Sequence, residues 1–365
     1  MKTQPPFNAA RRYLLASGVA GAAGLFGFAK QAQALPAKTL VFPRDRGAHP
    51  DFRTEWWYIT GQARTAGTAG RLFGFQLTFF RSRIEGTQTM QSKFAARQLL
   101  FAHAAITDVD GKKLMHDQRI SRDGFGVASS SETDMNIKLR DWSLQANGGS
   151  YTANLPATDF GIRLQFTETQ PVLLQGKQGL SRKGPDEKQA SYYYSQPQLA
   201  ASGSLQIKGQ TFEVSGKAWL DHEWSDEILH KSATGWDWIG MNLDDGSALT
   251  AFRLRDKDGN AVWDGGSFRP AKGDTYPFSR GEVIFKPTRS WKSPLTQTSY
   301  PVEWIVRTPA DFYTVRAVID NQELDSRQST GAIYWEGLSE LIDSNGKRVG
   351  SGYLEMTGYA APLRM

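Results

Sequence analysis

His49-Pro50-Asp51-Phe52-Arg53-Thr54-Glu55-Trp56-Trp57-Tyr58-Ile59-Thr60-Gly61 is the stretch whose reading decides the fold. Side chains alternate along a strand, so Glu55, Trp57 and Ile59 share one face and Trp56, Tyr58 and Thr60 the other. A carboxylate is thereby pushed among large apolar rings, where it must be paired or its pKa must rise. A second aromatic and acidic cluster lies in the other half of the chain. It runs Trp219-Leu220-Asp221-His222-Glu223-Trp224, then Gly235-Trp236-Asp237-Trp238-Ile239-Gly240. One such cluster per half implies a duplicated β architecture built around a pocket.

The rest of the chain agrees with an all-β reading. Its 365 residues suit two domains of ordinary size. A hydrophobic share of 39% beside 22% charged residues is globular, neither disordered nor membrane-embedded. The formal charge of +6 is carried largely by the N-terminus: Lys2, Arg11, Arg12 and Lys30 stand before residue 38 with no acid among them, and removing those four leaves +2. No basic block interleaved with aromatic residues remains, which excludes a nucleic-acid partner. The absence of cysteine rules out disulfides and thiolate chemistry.

Residues 1–34 read as an export signal. Arg11-Arg12 precede a charge-free segment from Tyr13 to Ala29, and Ala32-Gln33-Ala34 offers a small-x-small cleavage site. The paired arginines with Leu14-Leu15 fit a twin-arginine signal, although Ala10 stands where a serine is usual. The segment is too rich in glycine and alanine to make a strong membrane span of about 20 apolar residues. A mature chain beginning near Leu35 in a bacterial periplasm is expected.

Beyond the signal, strands are expected over 56–62, 72–81, 99–108, 137–146, 150–154 and 162–168, then 203–208, 210–219, 236–243 and 247–255. Further strands are expected over 281–286, 302–307, 314–320 and 352–358, many spaced as in sandwiches and barrels. Only 91–98 could form a short helix. The polar, glycine-rich run 175–189 is the best loop in the chain and precedes Tyr192-Tyr193-Tyr194. The domain division is therefore placed after it, giving domains over 38–198 and 199–365. A faint repeat supports duplication. Trp56-Trp57-Tyr58-Ile59 followed by a strand ending in Arg81 is similar to Trp236-Asp237-Trp238-Ile239 followed by one ending in Arg253.

These motifs resemble the AttH-like family, which includes carotenoid 1,2-hydratase (CrtC) and proteins labelled predicted secreted hydrolases. The resemblance is carried by His49-Pro50, Arg53 to Tyr58 with Gly61, Ala218 to Trp224 and Gly235 to Trp238. It continues through Tyr300-Pro301-Val302-Glu303-Trp304, Tyr334-Trp335-Glu336-Gly337 and Gly352 to Tyr359. It implies two tandem lipocalin-like antiparallel β-barrels and a hydrophobic small-molecule ligand, isoprenoid or lipid-like. The family's hydratases add water to an isolated alkene of acyclic carotenoids without a redox cofactor, so no cofactor is expected.

Alkene hydration needs an acid to protonate carbon and a water to capture the cation, which aromatic faces stabilise. Asp237, His222 and Asp221 are the catalytic candidates, His222-x-Trp224 being the kind of pair the resemblance places in a hydratase site. Trp224, Trp236, Trp238, Glu223, Glu55, Trp57 and Tyr58 are the candidate ligand contacts. Each has a structural alternative. Asp237 and its neighbours could pair with Arg253 or Arg255 to hold strand ends together. Glu55 and Trp57 could close the end of a barrel, with Arg53 or Arg81 packed over them.

No metal site is expected, because strand alternation scatters Asp221, His222 and Glu223 over both faces and the sequence has no His-Glu-x-x-His helix. No Gly-x-Ser-x-Gly elbow supports serine hydrolase chemistry. Three functions follow. The first is an exported binder of a hydrophobic molecule, serving a membrane transport system. The second is a cofactor-free hydratase or isomerase. The third is a carbohydrate-binding module, since eleven Trp and twelve Tyr could stack on sugars.

Overall fold

The computed structural model describes residues 34–363, so the expected signal and its twin arginines lie outside the described residues. Two large antiparallel sheets account for the strands of the described residues. The first runs, in spatial order, Lys113–Arg122, Gln98–Asp108, Leu72–Arg83, Thr54–Arg64, Gln210–Glu227, Ala190–Ile207, Phe160–Thr167, Ser150–Pro156, Trp142–Asn147, Asn136–Leu139 and Ala128–Ser130. Its leading strands curl round to approach Asn136–Leu139, making a nearly closed barrel. The second runs Tyr276–Phe278, Ala261–Arg269, Ala248–Arg255, Gly235–Leu243, Arg348–Met356, Ala332–Ile342, Phe312–Ala317, Ser299–Arg307 and Ile284–Lys292. The protein is all-β, as the aromatic strands and frequent turns imply, and lipocalin-like, as the family resemblance implies.

Each sheet encloses its own apolar core, and a third core fills the space between them. Trp57, Phe75, Phe79, Trp142 and Trp224 fill the first barrel. Ile239, Met241, Tyr300, Trp304 and Trp335 fill the core of the second sheet. Tyr58, Trp219, Trp238, Phe252 and Tyr353 form the layer between. Strands 54–64 and 235–243 are therefore covered on both faces, which is why their sequences carry large rings at successive positions.

Two 18-residue strands, Ala190–Ile207 and Gln210–Glu227, form the longest hairpin. Its two-residue turn is Lys208-Gly209, both at positive φ (48° and 83°), the geometry that matches strand twist. The sequence reading stops the second of these strands at 219. It continues to Glu227 because Asp221, His222 and Glu223 are all paired inside the protein. The strand expected over 137–146 is instead a hairpin, turned at Arg140 (φ 58°) and Asp141. Residues 91–98 form turns leading into a strand and no helix; the nearest helical turn is the 3₁₀ segment Glu85–Thr87.

The two sheets part between Glu227 and Gly235. The division expected at 198/199 falls within the Ala190–Ile207 strand, both ends of which belong to the first sheet. The polar run 175–189, read as the best loop in the chain, folds back on the first sheet. Leu173–Leu174 and Leu180–Arg182 pair with Ala190–Ile207. Several of its buried polar groups find partners: Gln175 reaches Ser195, Lys183 reaches Glu223 and Gln189 reaches Glu227.

Candidate functional site

The registers of neighbouring strands sort the aromatic and acidic residues by face. Glu55 lies opposite Trp224 and Arg81, Trp57 opposite His222 and Phe79, and Tyr58 opposite Asp221. Glu55, Trp57, Arg81, His222 and Trp224 consequently point into the first barrel. Tyr58, Trp219, Asp221 and Glu223 point towards the second sheet. Asp221 and Glu223 on one face, with His222 and Trp224 on the other, is the alternation expected from the sequence.

The barrel-facing group is a closed network. Arg81 Nε donates to Glu55 Oε2 at 2.7 Å, and its other nitrogens reach Gln98 Oε1 (2.8 Å) and the carbonyls of His49 (2.8 Å) and Phe52 (2.9 Å). Glu55 Oε1 lies 2.7 Å from His49 Nδ1 and 2.9 Å from His222 Nε2. Burial pushes the Glu55 carboxyl up, but the hydrogen bonds from His222 and His49 and the charge of Arg81 outweigh it and hold it well below the usual range. His222 is depressed to about 4, chiefly by burial. A neutral ring then donates from Nε2 to Glu55 and accepts at Nδ1 from Tyr194 (3.2 Å). His49 stacks on Trp224 at 3.8 Å, and Trp57 donates to the Arg46 carbonyl at 2.9 Å.

Arg81 is thus the arginine that packs over the Trp57 end, while Arg53 is exposed. His49, Glu55 and His222 bring ligand-type atoms within 4.8 Å of one another, which suits a metal in donor type. The guanidinium of Arg81 already supplies the positive charge at Glu55, so this group reads as a barrel plug.

Asp237 belongs elsewhere. It faces the core of the second sheet, fully buried, with Oδ2 2.7 Å from Arg253 Nε and 3.5 Å from Arg255 Nε. Tyr359 donates to its other oxygen at 2.9 Å. Of the alternatives weighed from the sequence, this arrangement is the pairing network with Arg253 and Arg255.

The layer between the sheets has the chemistry the other two places lack. Asp221 accepts from Ser195 Oγ (2.5 Å), Trp219 Nε1 (2.7 Å) and Tyr193 OH (2.8 Å). Burial pushes its carboxyl up to about 7 against the pull of those donors, with Glu223 adding to the rise. Trp238 donates to Tyr193 OH at 3.2 Å and meets Tyr58 edge-on at 5.4 Å. Gly240 makes room for the Trp238 ring, because a Cβ there would stand 2.3 Å from it.

Glu223 pairs with Lys183 at 2.8 Å and accepts from Ser191. Across the layer, Glu355 and Glu336 stand directly opposite each other on neighbouring strands. Burial raises Glu355 to about 7, with Asp221 and Glu223 adding to the rise. Burial and then Glu355 push Glu336 well above the usual range. Around Glu336 the buried atoms Tyr58 OH, Thr60 Oγ1, Gln76 Oε1 and Glu336 Oε1 have no hydrogen-bond partner among the described residues. Lys183 pairs with Glu223, and burial favours the protonated forms of Asp221, Glu336 and Glu355.

A cavity of about 410 Å³ adjoins this layer. Phe252 belongs to both, and Gln175, on the cavity wall, donates to Ser195 Oγ at 2.8 Å. One side chain, Ser195, therefore connects the cavity wall to Asp221.

A family model described as AttH-like matches residues 33–359. The chain belongs to the AttH-like family. A candidate AttH from Nitrosomonas europaea is 45% identical, with 90% of this chain and 100% of that one covered and a TM-score of 0.83. Kievitone hydratase from Nectria haematococca has the same fold at 12% identity, with 88% and 94% covered and a TM-score of 0.68. CghA follows at 13% identity, 91% and 96% covered, and a TM-score of 0.53. No curated protein matches the chain in sequence.

Among the sequence candidates, this AttH-like protein gathers Asp221, Glu223, Tyr58 and Trp238 into the layer, with Trp236 packed against it. It places Glu55, Trp57, His222 and Trp224 in the plug, and Asp237 in the second core. Glu336, Glu355, Ser195, Tyr193 and Lys183 were not singled out for chemistry. Glu336 and Glu355 sit inside the quoted motifs Tyr334 to Gly337 and Gly352 to Tyr359, whose charged residue on a ring-rich strand was the available signal.

Proposed function

We propose that the layer between the sheets binds a hydrophobic small molecule and protonates it, a hydratase-type acid catalysis with Asp221 as the proton donor. The observation that carries this reading is a buried carboxyl set among aromatic rings, hydrogen-bonded to Trp219 and to the Tyr193 that Trp238 adjoins, where burial raises its pKa towards 7. An acid of that strength delivers a proton at neutral pH and recovers it from water. In the step, the alkene π pair takes the Asp221 proton to form a C–H bond. Water oxygen then bonds the resulting cation, and its surplus proton returns to the carboxylate, so one water is consumed. Ring faces stabilise the cation meanwhile. Kievitone hydratase, named for the same class of reaction, shares the fold, which makes the layer a suitable frame for it.

Carboxyl-selective NMR titration tests the reading first: Asp221 titrating near pH 4 would remove the acid. Turnover is tested by incubating an acyclic isoprenoid alkene in ¹⁸O-labelled water. Labelled alcohol is expected from the wild type and none from Asp221→Asn; equal labelling by both would sink the assignment.

A second reading is favoured by the three donors that lock Asp221 in place. In it the layer only holds the molecule, for delivery to a membrane transport system. On either reading the protein works in the periplasm, the destination expected of its Arg11-Arg12 leader.

A further inference from the structure

The 410 Å³ cavity has an unbalanced rim. Lys177, Arg182 and Arg280 line it, and none of them enters an ion pair among the described residues. Its one lining carboxylate, Asp264, turns an oxygen to the backbone amides of Gly281 (2.8 Å) and Val283 (3.3 Å). Arg182 is held in place by the carbonyls of Gly184 (3.2 Å) and Pro185 (3.1 Å), while its Nε is buried without a partner. A buried guanidinium nitrogen left unpaired is costly unless something reaches it.

Both guanidinium groups lie against Trp263, whose ring centroid is 5.4 Å from Arg182 Cζ and 4.9 Å from Arg280 Cζ. Phe252 and Phe278 complete an aromatic wall. The volume falls in the usual range for small-molecule sites, about 300–1,000 Å³.

We infer that this cavity is a receptor for an amphiphile with an anionic head group on an apolar body, the head bridging Arg182 and Arg280 and the body lying on Trp263 and Phe252. The fork geometry of two arginines suits a carboxylate or a phosphate equally. The inference deepens the proposed function by naming the ligand class beside Asp221, and it rests on that reading only for its link to the reaction.

The test is calorimetric titration of the full chain with three shape-matched probes: 2-naphthoate, 2-naphthyl phosphate and the neutral 2-naphthamide. The anions are expected to bind at least about tenfold more tightly than the amide, and to weaken several-fold as NaCl rises about tenfold. Whichever anion binds more tightly identifies the head group as carboxylate or phosphate. Arg182→Gln with Arg280→Gln should erase the preference for anions in protein that circular dichroism shows to be folded at the assay temperature. The exposed Arg280→Gln alone, which leaves the fold intact, should reduce it. Equal binding of the amide, or an anion preference that survives the double variant, overturns the inference. Neither result touches the Asp221 titration, so the two ideas fail separately.

Discussion

Glu55 and Arg81 face each other on neighbouring antiparallel strands with Oε2 and Nε 2.7 Å apart, and Asp237 and Arg253 repeat that relation at 2.7 Å in the second sheet. In each sheet the acid stands at the start of a Trp-rich strand and the arginine on the strand after it, both directed into the core. The repeat faintly visible in the sequence is therefore a repeated structural device: an ion pair that closes a core where apolar packing ends. Desolvation makes such a pair tolerable only when complete, and each is completed by further donors, His49 and His222 in one case and Tyr359 in the other.

Removing the acid of the first pair should be severe. Glu55→Gln leaves Arg81 buried with its charge uncompensated and should lower unfolding free energy by about 3–5 kcal/mol. Denaturation in guanidinium chloride would show an earlier midpoint with an unchanged slope. The double change Glu55→Gln with Arg81→Met should lose less than Glu55→Gln alone, because no orphan charge remains. A double variant worse than the single would refute the account.

Asp237→Asn should act on stability in the same way and by a similar amount, about 3–5 kcal/mol, since Arg253 and Arg255 both depend on it. Any turnover measured per folded molecule should be unchanged. Loss of labelled-water incorporation with the melting temperature intact would instead return Asp237 to the catalytic set.

What the sequence allowed and withheld can be traced to particular residues. Alternation along one strand placed Glu55 with Trp57 and separated Asp221 from His222, because period-2 geometry needs no knowledge of partners. The family motifs led to the AttH-like family and to lipocalin-like sheets. The Glu336–Glu355 pairing was not legible, since it depends on the register between two strands. His49, isolated in sequence, meets Glu55 and stacks on Trp224 only because the Pro43–Phe52 segment folds over the barrel end. The run 175–189 reads as a loop because its polar residues give no hint that Gln175 and Lys183 are buried partners of Ser195 and Glu223.

His222 gives the plug a definite pH dependence. Its pKa is depressed to about 4 in the folded protein, against about 6.5 when unfolded. Between those values the unfolded chain binds the proton and the folded one does not, so stability rises with pH. The contribution is complete above pH 6.5 and declines as pH falls towards 4. The stability difference between wild type and His222→Gln should therefore shrink by about 1.4 kcal/mol per pH unit across that window. A difference that stays constant from pH 7 to pH 4.5 would contradict a buried neutral His222.

Asp221 should show the opposite sign. Its folded pKa is raised to about 7, against an ordinary value of 3.8. Between the two the folded protein holds a proton that the unfolded chain has lost, so this group's contribution falls as pH rises through the window and levels off above 7. Asp221→Asn removes the titration while keeping the acceptor oxygen for Ser195, Trp219 or Tyr193. Relative to wild type the variant should gain about 1.4 kcal/mol per pH unit between pH 4 and 7, as an order-of-magnitude slope. If Asp221 is also the acid, turnover by the wild type should decline as pH rises through 7, where the proton is lost. Urea unfolding at a series of pH values measures the first effect, and labelled-water incorporation the second. A flat stability difference would mean that Asp221 is an ordinary ionised carboxylate, and the acid-catalysis reading would fall with it. A sloping difference with no turnover from a panel of isoprenoid alkenes would leave the raised carboxyl in place and favour the carrier reading.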